Sequence, residues 1–133
     1  MKILNYFNYF SSNLKYNKLV ILFLLCLISR LATSINYSED IDSLRFALAL
    51  VDYNILEMRP HFPGYPVFCL LAKIIYFFNN SIQYTFSIIG ALSTFLIIIY
   101  SQKIEKKLLG YNSKFLPHLI FLNPLIWNFS NRY

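Results

Sequence analysis

Residues 82–101 read IQYTFSIIGALSTFLIIIYS, a run without one charged side chain. As a helix, twenty residues rise about 30 Å, the depth of a bilayer's hydrocarbon core. A chain carrying such a run must bury it on every side or give it to lipid. Only 14% of the residues are charged and 57% are hydrophobic, where a soluble domain carries about 25% charged residues. We therefore read residues 1–133 as one all-α membrane domain.

Two further segments fit that reading. Leu19 to Ile28 (LVILFLLCLI) is fully apolar. Extended over 19–35 it is just long enough to span, with Arg30 near the far interface. A basic start and a short apolar core also fit a cleaved leader. The apolar segments downstream favour an uncleaved first span. Residues 115–131 (FLPHLIFLNPLIWNFSN) form an uncharged third candidate, with Pro117 and Pro124 as expected kink points. The expectation is about three spans, at 19–35, 82–101 and 115–131.

Between the first two spans lies a wet loop, residues 36–80. It holds five of the six acids: Glu39, Asp40, Asp42, Asp52 and Glu57. Ile41 to Val51 is predicted as a short helix. Pro66 to Phe78 (PVFCLLAKIIYFF) is predicted as another, with Pro66 in the first turn, where its missing N–H is no loss. At about 13 residues, with Lys73 in its middle, this second helix is too short to cross and fits the interface better. Its spacing puts Cys69, Lys73 and Tyr76 on one stripe and Phe68, Leu71 and Ile75 on the other side. Topology agrees. The lysines before residue 19 and the KIEKK run at 103–107 both belong on the cytoplasmic side. They share a side only if Pro66 to Phe78 does not cross. The acidic loop then faces the outer side of a cell or inner membrane.

The net charge of +6 comes from short clusters flanking apolar runs, not from a basic face. That is the pattern of topology signals, and it argues against nucleic acid as a partner. Cys26 and Cys69 lie in apolar runs without CxxC spacing, so neither a disulfide nor a metal pair is expected. The two histidines, His61 and His118, lie on separate segments, and no metal motif is seen. A need for a divalent metal is left open, and no cofactor is identified.

The chemistry-bearing residues gather around residues 40–73. Asp40 and Asp42 open a helix, where acids complement the dipole. The same acids could serve as a general base at the membrane surface. Arg45 stands three residues beyond Asp42, as an ion pair or as a device that orients the carboxylate. Residues 59–66 read RPHFPGYP. The Pro63-Gly64-Tyr65-Pro66 run makes a rigid turn into the next helix. Such a turn would hold Arg59 and His61 in fixed places; for His61 the plain alternative is a hydrogen bond that serves only the loop. Arg45, Arg59 and Lys73 could meet a phosphate at headgroup level; for Lys73, snorkelling is the plain alternative.

An acid in the first outer loop followed by a short helix, then His-x-Pro-Gly-Tyr-Pro, then a long span, resembles the GT-C class of integral-membrane glycosyltransferases. It looks most like the family 39-like branch of protein O-mannosyltransferases and aminoarabinose transferases. The matching residues are Asp42-Ser43 and His61 to Pro66, with Phe62 where the family usually has a proline. Arg30 and the aromatic-rich second span also fit. The likeness covers roughly residues 18–133 and belongs to the N-terminal part of the family pattern. It implies transfer of a sugar from a polyprenyl-phosphate carrier to an unidentified acceptor on the outer face. It implies Asp42 as general base, Asp40 as second choice, and His61, Arg59, Arg45, Lys73 and Tyr65 near the carrier or substrate. Family members have many more spans, so the chain is expected to be one part of such an enzyme and inactive alone. The alternative is a non-catalytic small membrane protein or a subunit of a membrane complex. A transporter fragment is disfavoured, because the span at 82–101 holds no ionisable group.

Overall fold

The structure, a computed structural model, describes residues 2–35, 37–38 and 40–131, with side chains from residue 17 to residue 128. Glu39 of the acidic loop therefore lies outside the described residues. The described chain is mostly helical: α1 (Lys2–Ala32), α2 (Ile41–Val51), α3 (Pro66–Asn79), α4 (Ile82–Leu109), α5 (Leu116–Phe121) and α6 (Pro124–Asn131), with a 3-10 turn at Ile55–Glu57. There is no strand among the described residues, only a bridge between Asn54 and Arg59.

Helix α4 is the centre, packed against α1, α3, α5 and α6. Its buried side is made mostly of small residues, with Ser87, Gly90, Ala91 and Thr94 within about two turns of each other. Small residues let helix backbones approach closely. The hydroxyls buried there are satisfied locally: Thr85 donates to the Ser81 carbonyl at 2.8 Å and Thr94 to the Gly90 carbonyl at 2.9 Å. Such i−4 bonds let hydroxyls sit in an apolar helix without a distant partner. Two apolar clusters flank α4. One joins Cys26, Ala91 and Ile98 to Leu22, Phe95 and Phe121. The other joins Ala47 and Leu50 of α2 and Ala72 of α3 to Phe86.

Helices α1 and α4 run antiparallel. Phe23 meets Phe95 edge-on, with ring centroids 5.3 Å apart, and Gln83 Nε2 donates to the Ser34 hydroxyl at 2.6 Å. The α2–α3 pair packs on α4 near that Ser34–Gln83 end, through Phe86 and Ile82. The N-terminal part of α1 and the lysines at 103–107 consequently lie toward the opposite end.

Among the described residues, α4 is the one helix long and apolar enough to cross a membrane. Its extent differs from expectation, because KIEKK does not end it. Lys and Glu are good helix formers, so the helix runs on past the apolar stretch. It stops at Gly110, whose φ of +78° suits a C-terminal cap. The first helix also differs, running from Lys2 and ending at Ala32 instead of residue 35. The segment 115–131 is two helices where one kinked span was expected. Pro124 has no N–H to continue the first helix. Asn123 starts a new one, its Oδ1 accepting from the amides of Leu125 at 2.9 Å and Ile126 at 3.3 Å. The predicted α2 is found with its stated bounds, and α3 runs one residue beyond Phe78.

Two details go beyond the sequence reading. Arg30 is fully buried, its guanidinium 4.0 Å from the ring centre of Trp127 and 5.5 Å from that of Phe121. The side chains of α3 also sort differently. Cys69 and Ala72 are buried, and Phe68 and Tyr76 join the core, while Leu71 is exposed together with Val67, Leu70, Ile74, Phe77 and Phe78. The inward side follows α2 and α4, which cross α3 over its 68–72–76 edge.

Candidate functional site

The segment RPHFPGYP is folded back over α2 by a sequence of short-range restraints. Asn54 and Arg59 exchange two backbone hydrogen bonds of 2.8 Å each, closing a small loop around the 3-10 turn. Arg59 then clasps the loop's own acids, Asp52 at 3.1 Å and Glu57 at 3.0 Å. Pro60 is fully buried. Gly64 N–H donates to the His61 carbonyl at 2.9 Å, making a turn of His61 to Gly64. The Gly64 carbonyl in turn accepts from the Tyr53 hydroxyl at 2.9 Å and from the Cys69 thiol at 3.6 Å. Burial pushes that thiol's pKa up, and Lys73 offsets this only in part. Tyr65 takes the left-handed conformation, φ 41°, and swings the chain into Pro66 at the start of α3.

This arrangement delivers His61 to the start of α2. Its Nδ1 lies 3.5 Å from Asp42 Oδ1, across a separation of 19 residues in sequence. Nδ1 is buried and has no hydrogen-bond partner, and 3.5 Å is longer than a formed hydrogen bond. A small movement of the exposed Asp42 side chain would close it. The ring is held edge-on against Phe46 at 5.4 Å and Tyr65 at 5.5 Å between centroids. Arg45 reaches the same Asp42 oxygen at 3.6 Å. Asp42 therefore stands between a cation and an imidazole, with one oxygen facing both and the carboxylate largely exposed.

Asp40 is the N-cap of α2. Its side chain accepts from the Ser43 amide at 2.6 Å, the bond that satisfies an orphan donor of a helix start. The two acids thus separate by role, one capping the helix and the other facing His61. Beside them is a cleft of about 380 Å³, lined by Asp40, Asp42 and Ser43 and by the rings of Phe46, Tyr65, Phe68 and Phe86. Volumes of a few hundred Å³ suit small-molecule sites.

The remaining predicted residues do not converge on this cleft. Arg59 is engaged with Asp52 and Glu57. Lys73 lies over the Tyr53 ring, 5.8 Å from its centre, and lines a separate pocket of about 230 Å³ with Pro66, Cys69 and Leu70. The structure brings together Asp40, Asp42, Arg45, His61 and Tyr65. Sequence reasoning missed the aromatic wall. The signal was there in part, because Phe46 follows Asp42 by four residues and so shares a face of α2, and Tyr65 had been named from its motif. Phe86, on α4, had no such local marker.

Among the described residues no group of three or more His, Cys, Asp or Glu is placed to hold a metal ion. Comparison with protein-family models, with curated proteins and with solved structures found no match.

Proposed function

We propose that the chain is the site-bearing part of a membrane glycosyltransferase that takes a sugar from a polyprenyl-phosphate carrier and gives it to an acceptor at the outer face. The observation that carries this reading is the 3.5 Å approach of His61 to Asp42 at the mouth of an aromatic cleft. In this reading α1, α4 and the α5–α6 pair cross the bilayer and α3 lies in the interface; what supports it is the one long apolar helix, α4, and the lipid-suited faces of its neighbours. The exposed apolar side chains of α1 (Leu19, Ile21, Leu25 and Ile28) and of α3 (Val67, Leu70, Phe77 and Phe78) suit lipid on both helices. The lysine-bearing ends of α1 and α4 are on one side, and the positive-inside rule makes that side cytoplasmic. The cleft then opens outside.

In this reading Asp42 accepts the proton of the acceptor nucleophile as it attacks the sugar's anomeric carbon, while the carrier phosphate leaves. His61 and Arg45 keep the carboxylate aimed. Asp40 holds the start of α2 and does not take part in the proton transfer. The test is transfer from a labelled polyprenyl-phosphate sugar by membranes containing the native protein. Asp42→Asn is expected to lower transfer by about a hundredfold or more with an unchanged amount of protein in the membrane. Asp40→Asn, which retains an oxygen able to cap, is expected to keep most of it. Full transfer by the Asp42 variant would sink the assignment.

A further inference from the structure

Helix α4 is longer than a bilayer's hydrocarbon is deep. Its 28 residues rise about 42 Å, against about 30 Å of hydrocarbon. The charge-free run ends at Ser101, so the last two turns, residues 102–109, carry the helix on into the headgroup layer. These turns and the loop after them hold Lys103, Lys106, Lys107 and Lys114, with Glu105 as the one acid. At about 100° per residue, Lys103, Lys106 and Lys107 fall within an arc of about 100°. Tyr100, Ile104 and Leu108 make an exposed apolar stripe along one edge of that arc. Glu105 lies on the other side of the helix, in line with the fully buried Ile98 two turns earlier. Its carboxylate accepts from the Ser113 amide at 2.9 Å and, among the described residues, makes no ion pair with a lysine.

Side chains of α1 and α5 cover the Ile98 side of α4. Lys103, Lys106 and Lys107 are exposed and point the other way. With α4 in a membrane, what lies on that side at that depth is lipid headgroups. The helix dipole accounts for Lys106 and Lys107, which stand in the last turn. It does not account for Lys103, whose ammonium turns back over the Tyr100 ring, 4.9 Å from its centre, toward the apolar run. Nor does it account for Lys114, which lies beyond the cap at Gly110. We infer that this end of α4 binds the phosphates of anionic phospholipids in the leaflet it enters, the cytoplasmic one in the orientation proposed above. Ile104 and Leu108 then lie against the upper carbons of the acyl chains and the lysines on the headgroups. Such lysines also orient a helix, but preference for particular lipids is a separate property. The inference rests on α4 lying in the membrane, and not on the chemistry of the outer cleft.

The test places the full chain in nanodiscs of phosphatidylcholine and phosphatidylglycerol in equal amounts and counts the lipids it retains by native mass spectrometry. Phosphatidylglycerol is expected to be retained about fivefold over phosphatidylcholine, the worth of one lysine at an anionic surface. Lys103→Gln, Lys106→Gln, Lys107→Gln and Lys114→Gln together should bring the two lipids close to parity. Glutamine forms helix about as well as lysine, so α4 keeps its length. Lys73→Gln, on α3 near the other end of α4, should leave the preference in place. Equal retention by the unaltered chain would overturn the inference, as would a preference that survives the quadruple replacement or one lost with Lys73 alone. Entry into discs of phosphatidylcholine alone checks the premise by itself: a chain that stays outside them would overturn the placement of α4 in the membrane, and this inference with it. A native protein with the lipid preference but without sugar transfer would refute only the glycosyltransferase reading.

Discussion

At Gly64 a single methyl group has nowhere to go. A Cβ there would stand 2.8 Å from the Tyr53 hydroxyl and 2.9 Å from Cδ1 of Ile55, and the residue's φ is +90°. Both the space and the backbone conformation call for glycine. Gly64→Ala is therefore expected to cost about 1–3 kcal/mol. Thermal unfolding of the detergent-solubilised chain checks this, and an unchanged melting temperature would contradict the packing described. The motif HxPGYP was legible as a turn from its residue types. What it did not disclose is that its glycine carbonyl is the shared acceptor for Tyr53 and Cys69, because those partners sit 11 and 5 residues away on other segments. The two acids were equally ambiguous in sequence. Only the Ser43 amide on Asp40 and the imidazole beside Asp42 separate a cap from a candidate base.

Helix α2 and helix α3 were legible because their ends carry local chemistry: an aspartate cap for one, a proline in the first turn for the other. The C-terminal segment was legible only as apolar. Its break at Leu122–Asn123 depends on whether Asn123 caps a new helix or Pro124 merely kinks the old one, and residue type alone does not decide that. What covers Arg30 was not legible for a similar reason. Near the end of an apolar run an arginine usually snorkels to water, but here Phe121 and Trp127 fold over it from α5 and α6. This gives α6 a specific anchor on α1. Trp127 is the chain's single tryptophan, so its fluorescence reports that anchor directly. Arg30→Gln is expected to shift Trp127 emission and to loosen α6 at a cost of about 1–2 kcal/mol. Unaltered emission and stability would mean that packing on α4 alone holds α6 in place.

Over the whole molecule, one antiparallel pair sets the architecture. The Ser34–Gln83 hydrogen bond and the Phe23–Phe95 contact fix α1 against α4, and the α2–α3 pair with its cleft rides on one end of them. The charge-free run and the basic clusters made this arrangement readable in outline. The site's aromatic wall was readable only in part, since it is built where three helices meet. If α1 and α4 both cross the bilayer, the acid cleft and the lysines at 103–107 are on opposite sides. The most direct measurement is labelling by a membrane-impermeant maleimide in sealed vesicles of known orientation, using Tyr37→Cys and Tyr111→Cys in a chain with Cys26 and Cys69 replaced by alanine. Both tyrosines are exposed and flank the two ends of the pair. The account predicts that residue 37 is labelled from the outer side and residue 111 only from the cytoplasmic side. Labelling of both from one side, or with the sides exchanged, would contradict it.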